Sequence, residues 1–308
     1  MTKLFNLSRR KNTRLADYIN GVANASKRPR TYKRKLWNIA RKISEYESFR
    51  GMEIYTNSMT QNVAEDFLLF LTNQFAYRAS TVNSIFSAIT TMLHRAHRDG
   101  YAVDFSIKDV STVKEDAFSV YLTPEEVERI YRLSIKNESL TSIKNAFVVG
   151  CCTGLRFSDY SRLTNDNIEE GIIRIKTKKT GVTVVIPAHW IILDIIDKYN
   201  RFPVVKVSLQ NFNARIKSIC KKAGLTAVYT VERTEGTIVV KRKFKKYQLI
   251  SSHTARRSFA TNMYLAGVAP AKIMLITGHK TEQSFFKYIR INKVENAKDL
   301  ATHPFFVK

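Results

Sequence analysis

One stretch of the chain joins a histidine and an arginine at a spacing that suits an anion. In SHTARRSFATN, His253 stands three residues before Arg256, and residues three apart share one face of a helix. The planar fork of arginine binds two oxyanion oxygens at once, and free N–H groups at a helix start favour phosphate. Ser251 or Ser252 is the predicted N-cap of this helix. The stretch is either a basic helix end on the surface or half of a phosphate-binding site.

The other parts of such a site are scattered along the chain. TGLRFSDYSRL places Arg156 just after Gly154 at a predicted helix start, Lys179 falls in a predicted hairpin turn, and TGHKTEQSFFKYIR holds His279 nine residues before Tyr288. Singly, each fits an ordinary surface or core residue. Together they supply what breaking a phosphodiester without metal requires: fixed cations, a nucleophile and a proton donor.

The charge balance indicates a polyanionic partner. The 308 residues contain 51 Lys and Arg against 26 Asp and Glu, a net charge of +25, which in a folded protein points to nucleic acid. Eight of the sixteen positions from 27 to 42 are basic and none is acidic; a solvated surface is the alternative to phosphates that would neutralise them. We predict DNA contacts for Lys27, Arg28, Arg30, Lys33, Arg34, Lys241, Arg242 and Lys243.

Several other classes of protein are disfavoured. The three cysteines, Cys151, Cys152 and Cys220, have neither disulfide nor metal-ligand spacing, which suits a reducing cytoplasm and predicts no structural metal. The first residues lack the apolar region of a secretory signal, and no run of 18 apolar residues occurs, so neither secretion nor a membrane partner is expected.

Apolar spacing predicts a mainly helical protein. Three stretches, TYKRKLWNIARKISEYESF, NVAEDFLLFLTNQF and STVNSIFSAITTMLHRAHRDG, repeat apolar residues at helical intervals. In the third stretch, Ser80 is the predicted N-cap and Gly100 the predicted end of the helix. The predicted core positions are Leu36, Ile39, Ala40, Ile43, Tyr46, Val63, Phe67, Phe70, Leu71, Val82, Ile85, Ile89, Met92, Leu93 and Ala96.

A second unit is predicted after a linker at 109–121. LTPEEVERIYRL starts it, with Thr123 as a cap, Pro124 at the first helical position and Glu126 completing a capping box. We therefore expect a helical DNA-binding domain over 1–117, flexible at 1–12, and a second domain over 118–308.

The second unit carries one small antiparallel β-sheet. GIIRIKTKKTGVTVVIP has β-branched runs on both sides of a turn, and a second β-like basic stretch, GTIVVKRKFKKYQLI, precedes the histidine–arginine motif. Lys176, Lys178 and Lys179 all lie near the turn, and the KTG context favours Lys179. A register shift by one residue would exchange the two faces.

Taken in order, these motifs resemble the tyrosine recombinase, or phage integrase, family. The TGLR, HTARRSFAT and GHKTEQSFFKY boxes match that family in content, order and spacing, over residues 123 to about 292. SSHTARRSFATN and the basic β stretch before it are similar to integrases of mobile elements in Bacteroides-type bacteria. The resemblance implies a two-domain clamp, in which a helical core-binding domain and a catalytic domain close around duplex DNA.

The resemblance also implies a role for each matching residue. Arg156 and Arg256 would clamp the scissile phosphate, and removing one such donor costs ~10²–10³ in rate. His253 would bond the same phosphate and help proton transfer. His279 would add a hydrogen bond to a non-bridging oxygen.

The remaining matches imply the nucleophile, the acid and a supporting group. Tyr288 would attack and form a 3′-phosphotyrosyl link, Lys179 would protonate the 5′ oxygen, and Asp159 would hold an arginine in place. Ala255 and Arg257 depart from the family's usual leucine and histidine. We expect altered packing from these two, with Arg257 directed to the backbone or to an acidic neighbour.

The implied activity is site-specific DNA recombination by four protomers, without ATP, metal or other cofactor. It would serve integration or excision of a mobile element, or inversion, in a bacterial cytoplasm near the nucleoid, with accessory DNA-bending proteins as further candidates. The tail VENAKDLATHPFF would dock on a neighbouring protomer or fold back on its own domain. The short segment before the first helix indicates that an arm-binding domain is absent.

Two other functions remain open from the sequence. A type IB topoisomerase shares the nucleophile chemistry but relaxes DNA of any sequence. A DNA-binding regulator with a silent site would keep the basic surfaces, although all six chemical positions are present here.

Overall fold

Packing divides the chain into two compact units. The computed structural model describes residues 11–110, 112, 118–235, 238–289, 297, 301 and 306–307. One unit comprises Met1–Ala117 with Glu232–Arg242, and the other comprises Phe118–Val231 with Lys243–Lys308. In the part of the chain so described, no helix is long and apolar enough to span a membrane.

Four helices build the first unit. They are α1 (Leu15–Ala25), α2 (Arg30–Arg50), α3 (Gln61–Phe75) and α4 (Ala79–Arg98), followed by a 3₁₀ turn at Ser106–Asp109. The predicted apolar stripes are confirmed as its core, except that Val63 is only half-buried. The Tyr46 ring meets those of Phe67 and Phe70 edge-on, each at 5.3 Å.

The ends of these elements differ in part from prediction. Ser80 lies inside the first turn of α4, because the N–H groups of Thr81 and Val82 already bond the Arg78 carbonyl and make Arg78 the N-cap. Gly100, at φ 90°, is confirmed as the stop.

Both predicted non-regular segments lie partly outside the described residues. At the start, 1–10 fall outside them, while the Lys11 carbonyl accepts a 2.9 Å bond from Ala102. Within the predicted linker 109–121, residues 111 and 113–117 also fall outside.

The second unit is mainly helical with a small sheet, as predicted. Its helices are α5 (Pro124–Arg132), α6 (Glu138–Thr153), α7 (Phe157–Tyr160), α8 (Trp190–Tyr199), α9 (Leu209–Lys222), α10 (Lys246–Leu249), α11 (Ser252–Leu265), α12 (Pro270–Thr277) and α13 (Glu282–Phe286). The capping box of α5 is confirmed: Thr123 Oγ1 accepts from the Glu126 N–H, and Glu126 Oε2 accepts from the Thr123 N–H.

Helix α6 is the centre of this unit. Every residue from Ile143 to Thr153 is buried, and α5, α8, α9 and α11 pack against it. A helix that is buried on all sides must be surrounded by other elements. The Tyr160 ring packs so closely on Gly150 that a Cβ at this position would overlap it. This central helix ends at Thr153, three residues before Arg156.

The predicted hairpin is confirmed as part of a three-stranded antiparallel sheet. Its strands are β1 (Ile168–Glu169), β2 (Ile172–Lys176) and β3 (Thr183–Pro187). Ile173 pairs with Ile186 and Ile175 with Val184, and all four are buried. Since this register buries one whole face, the turn between β2 and β3 is fixed at 177–182.

The second β-like stretch is a strand followed by a helical turn. Strand β5 (Ile238–Lys245) pairs with β4 (Val228–Glu235). The chain then enters α10, where the Lys245 N–H donates to Gln248 Oε1 at 2.7 Å. Of the tail from 290 onward, only residues 297, 301, 306 and 307 are described, so its predicted docking lies outside the described residues.

Candidate active site

Arg156 stands where the central helix gives way to a short one. Gly154 ends α6 with a left-handed φ of 66°, and an added Cβ there would overlap the Phe259 ring. Leu155 is buried, and Arg156 is the half-buried N-cap of α7, as predicted. The glycine therefore sets where the arginine emerges.

Helix α11 presents His253 and Arg256 from its first turn and a half. Ser251 is the N-cap, and its N–H donates to Thr254 Oγ1 at 3.0 Å. The Ser252 N–H is already bonded to Asn213 Oδ1 at 2.7 Å. That helix-start N–H is therefore occupied by a side chain of the same chain and is not one of the free donors that we expected.

Arg256 is fixed by the backbone of two distant segments. Its side chain is 1% exposed, Nη1 donates to the Gly154 carbonyl at 2.8 Å, and Nη2 donates to the Thr277 carbonyl. Arg257 leaves in another direction, and its Nη1 donates to the Val120 carbonyl at 3.1 Å, which confirms the predicted backbone contact.

His279 follows directly on α12. Gly278 ends that helix at φ 64°, and His279 Nδ1 lies 2.9 Å from Thr277 Oγ1. The other ring nitrogen, Nε2, is buried without a hydrogen-bond partner among the described residues. A buried polar atom in this state is costly, so Nε2 is available to an incoming polar group.

Tyr288, shortly after α13, brings the pieces together. Its hydroxyl oxygen lies 2.5 Å from His253 Nε2. Its ring centroid lies 4.5 Å from that of His279 and 5.8 Å from Cζ of Arg256. Two boxes separated along the sequence, one with His253 and Arg256 and the other with His279 and Tyr288, thus meet around one phenol within a single chain.

The lysine turn approaches the same place. Lys176 is the last residue of β2, whereas Lys178 and Lys179 are exposed in the turn. The charge of Lys179 contributes to lowering the pKa of His253. This effect favours Lys179 among the three candidate lysines, and its role stays a prediction.

Asp159 is completely buried on α7 and contacts the turn. Its Oδ1 accepts from the Lys178 N–H at 2.8 Å and lies 3.4 Å from Nη2 of Arg162. The arginine that Asp159 contacts is Arg162, an identity that the prediction had left open. Arg162 was not singled out from the sequence, because a lone basic residue after a short helix carries no distinctive signal.

The electrostatics of the site keep both histidines neutral. Desolvation, followed by the charges of the surrounding arginines, lowers the pKa of His253 to about 4 and that of His279 to about 4. Burial and the charge of Arg156 lower the pKa of Arg256 to about 10, so its guanidinium remains charged at neutral pH. Neutral imidazoles thus lie beside two cations.

A cavity of about 190 Å³ adjoins these groups. Its polar lining includes the charged and imidazole groups of Arg156, Asp159, Arg256, His279 and Lys280, together with Thr177, Thr180 and Thr277. Clustered cationic and hydrogen-bonding groups next to a phenol suit an oxyanion that the phenol attacks. Within the described ranges, no group of three or more His, Cys, Asp or Glu residues is placed to hold a metal ion.

One predicted set of DNA-contacting residues lies on and just before α2. Lys27, Arg28, Arg30 and Arg34 are exposed, and Lys33 is half-buried. The basic run is not wholly unpaired, because Lys42 is buried and bonds Glu45 at 2.6 Å.

The second predicted set lies on β5, where all three residues are exposed. Lys241 pairs there with Glu232 at 2.8 Å. Arg242 and Lys243 follow it on the strand.

The model of the phage integrase family matches residues 120–295. This span exceeds half of the chain and contains every residue of the candidate site. The protein therefore belongs to the phage integrase family of tyrosine recombinases, as the motifs predicted. No match is found among curated proteins.

Solved structures agree with this fold. A λ integrase dimer bound to a COC′ core site is 17% identical, with 90% of this chain and 94% of that chain covered and a TM-score of 0.63. The Tn1549 transposon integrase with a circular intermediate DNA is 15% identical, with 93% and 98% covered and a TM-score of 0.65. A λ integrase tetramer bound to a Holliday junction is 19% identical, with 87% and 76% covered and a TM-score of 0.60. At these identities the similarity establishes the fold alone.

Proposed function

We propose that this protein is a site-specific DNA recombinase that cuts and rejoins strands through a 3′-phosphotyrosyl intermediate. The observation that carries the proposal is the 2.5 Å approach of the Tyr288 hydroxyl to His253 Nε2, beside the buried cation of Arg256. This contact supports the proposal, because the proposed nucleophile, a proton acceptor and a fixed positive charge then lie side by side in one chain.

In the proposed first step, Arg156 and Arg256 hold the non-bridging oxygens of the scissile phosphate. As charge develops on these oxygens, preorganised guanidinium groups stabilise the transition state without reorganising. The Thr277 hydroxyl donates to the Ile273 carbonyl, so the neutral His279 ring donates from Nδ1 to Thr277 Oγ1, and Nε2 takes up a proton before it donates to a phosphate oxygen. The anion would thereby satisfy the buried nitrogen.

In the same step the Tyr288 oxygen bonds to phosphorus and the bond to the 5′ oxygen breaks. The phenolic proton passes to neutral His253, whose lowered pKa leaves Nε2 free to accept it. The leaving 5′ oxygen takes a proton from Lys179. Rejoining reverses these transfers, when a 5′ hydroxyl attacks the phosphotyrosyl link and tyrosine leaves.

The proposed assembly on DNA would resemble that of other members of the family. Four protomers would exchange two duplexes, with the basic residues of both units on the DNA backbone and the tail docked on a neighbour. The chemistry uses neither ATP nor a divalent metal, and accessory DNA-bending proteins would assist assembly. We propose mobile-element integration, excision or DNA inversion as the biological outcome, in a bacterial cytoplasm.

The test is covalent trapping on a nicked suicide substrate carrying the candidate site. Wild-type protein should form an adduct, Tyr288→Phe should bind the DNA without forming one, and Tyr264→Phe should behave as wild type. Tyr264 is the matched control because its ring packs on Phe286 within the same unit. An adduct from Tyr288→Phe would place the nucleophile elsewhere.

The same assay separates the alternatives. Adduct confined to one DNA sequence supports a recombinase, and adduct on every DNA supports a type IB topoisomerase. Binding without any adduct supports a regulator.

A further inference from the structure

We propose that Arg162 is a positioning residue for Lys179, acting with Asp159 to fix the β2–β3 turn against the segment that carries Arg156. The inference rests on the proposed function, in which Lys179 protonates the leaving oxygen. It assigns a task to a residue outside the set of motifs that defines the site.

The contacts join side chains of the α7 segment to the backbone of the turn. Arg162 Nη2 donates to the Lys176 carbonyl and lies 3.4 Å from Asp159 Oδ1. The same Asp159 oxygen accepts from the Lys178 N–H at 2.8 Å. The peptide groups just before Lys179 are thus held on both sides, through a carbonyl and an N–H.

The turn's own hydrogen bonds fix its shape. The Thr177 N–H donates to the Val182 carbonyl, and the Gly181 N–H donates to the Thr177 carbonyl, each at 2.9 Å. The Thr177 hydroxyl lies 2.7 Å from that of Thr180. These hydrogen bonds fix the shape of the turn but not its position. The contacts with Asp159 and Arg162 fix the position of the turn relative to the rest of the unit.

The segment that holds the turn also carries the clamp arginine. The N–H groups of Asp159 and Tyr160 bond the Arg156 carbonyl at 2.8 and 2.9 Å. Arg156 and the turn that carries Lys179 are therefore both attached to the α7 segment.

Such a support matters because lysine is a flexible acid. Its side chain carries about 2 kcal/mol of rotamer entropy, and a general acid must come within about 2.6–3.2 Å of the oxygen it protonates. A misplacement of about 1 Å is enough to cost ~10² in rate. Losing Arg162 should therefore slow proton donation by displacing Lys179, although the lysine itself is still present.

The rival interpretation is that Arg162 binds a DNA phosphate. Its side chain is 44% exposed, so the guanidinium is accessible to solvent. In that case Arg162→Ala would lower DNA affinity, but cleavage within the bound complex would remain at the wild-type rate.

The experiment compares two leaving groups in single-turnover cleavage at saturating protein. One suicide substrate carries the natural 5′ oxygen and the other a bridging sulfur at that position. A thiol, with a pKa of about 8.5, departs as thiolate without being protonated, so a defect in the acid disappears on the sulfur substrate. Thermal unfolding shows whether each variant is folded.

The expected pattern couples Arg162 to Lys179. On the oxygen substrate, Lys179→Ala should be slower by ~10² or more, and Arg162→Ala by ~10-fold or more. On sulfur, both should recover to about the wild-type rate. The double variant should be no slower than Lys179→Ala, because the two residues act as one unit.

Control variants define the comparison. Arg174→Ala removes a similarly exposed arginine on β2 that pairs with Glu169, away from the turn, and should cleave both substrates at the wild-type rate. Tyr288→Phe should be inactive on both. If Arg162→Ala fails to fold, Arg162→Lys replaces it in the test. Its cleavage rate on the oxygen substrate should be lowered to a smaller extent, and its rate on the sulfur substrate should match the wild type.

Each contrary result has its own meaning. An Arg162→Ala defect that persists on sulfur, or one confined to DNA affinity, overturns the positioning task while the recombinase proposal stands. A Lys179→Ala defect that persists on sulfur removes Lys179 as the acid and the inference with it. An adduct from Tyr288→Phe would instead overturn the proposed function.

Discussion

The neutral histidines give the free protein a characteristic pH dependence. Their pKa values are about 4 in the folded chain, against about 6.5 in an unfolded one. Between these values the unfolded chain binds more protons, so the free energy of unfolding should fall as the pH is lowered from about 6.5 towards 4.

This dependence is measurable by urea unfolding of DNA-free protein at pH 7, 6 and 5. His279→Gln should flatten the curve, because one of the two groups no longer titrates. Parallel curves for the variant and wild type would contradict the neutral, buried assignment of His279.

Thr277 is expected to matter for chemistry as well as for packing. Its hydroxyl lies 2.9 Å from His279 Nδ1 and also bonds the Ile273 carbonyl. Thr277→Val should slow cleavage at saturating DNA by ~10-fold, since groups that orient a reactive imidazole commonly contribute this much. Thr72→Val, which removes a comparable hydroxyl-to-carbonyl bond in α3, should leave cleavage unchanged; equal effects of both would refute the idea.

At the scale of elements, the end of α6 is the sensitive point. Gly154→Ala must adopt φ 66° with a Cβ that overlaps Phe259, so we expect a loss of ~3 kcal/mol or more in unfolding free energy. Gly224→Ala has a similar φ of 76° but nothing within 4 Å, and should cost only about 1–2 kcal/mol. Denaturant midpoints of the two variants test the difference, and equal losses would show that contact with Phe259 is unimportant.

Sequence patterns predicted those elements whose signals are local. The helical stripes, the Thr123 capping box and the β2–β3 hairpin follow from spacing and turn chemistry that adjacent residues supply. The order of the three boxes was enough to predict the family.

Contacts between distant residues were not predictable in the same way. Arg256 bonds a carbonyl 102 residues away. Every residue has a backbone carbonyl, so the residue types do not indicate which one accepts the bond. Asp159 was expected to hold an arginine, but the identity of that arginine, Arg162, and the further contact with the Lys178 N–H depend on how the hairpin packs on α7. Ser80 is not the N-cap of α4, because the Arg78 carbonyl accepts the first hydrogen bonds of the helix.

At the scale of the whole molecule, the net charge of +25 predicts salt-sensitive DNA binding. Each phosphate contact adds about 0.9 to the slope of log K against log salt. Replacing Arg30 and Arg34, both exposed on α2, by glutamine should therefore reduce that slope by about 1.8. Arg132→Gln, on an exposed arginine paired with Glu128, should leave it unchanged; an unaltered slope in the α2 variant would argue against phosphate contacts there.

The assembly should cut in cis. Tyr288 lies against His253 of its own chain, and the charge of Arg156 also reaches that histidine. Mixing Tyr288→Phe with Arg156→Ala protein should therefore restore no adduct, because each chain lacks part of its own site. Recovery of adduct in the mixture, measured on a suicide substrate, would show that the nucleophile is donated between chains.

The two carbonyl bonds of Arg256 have a practical consequence for anyone wishing to image this protein on its target. An alanine at that position deletes a tie between the ends of two helices as well as a charge, so a stalled complex made this way would display a rearranged interior. Removing the single oxygen of Tyr288 leaves those ties intact, which makes the phenylalanine variant the better choice for capturing an undistorted assembly.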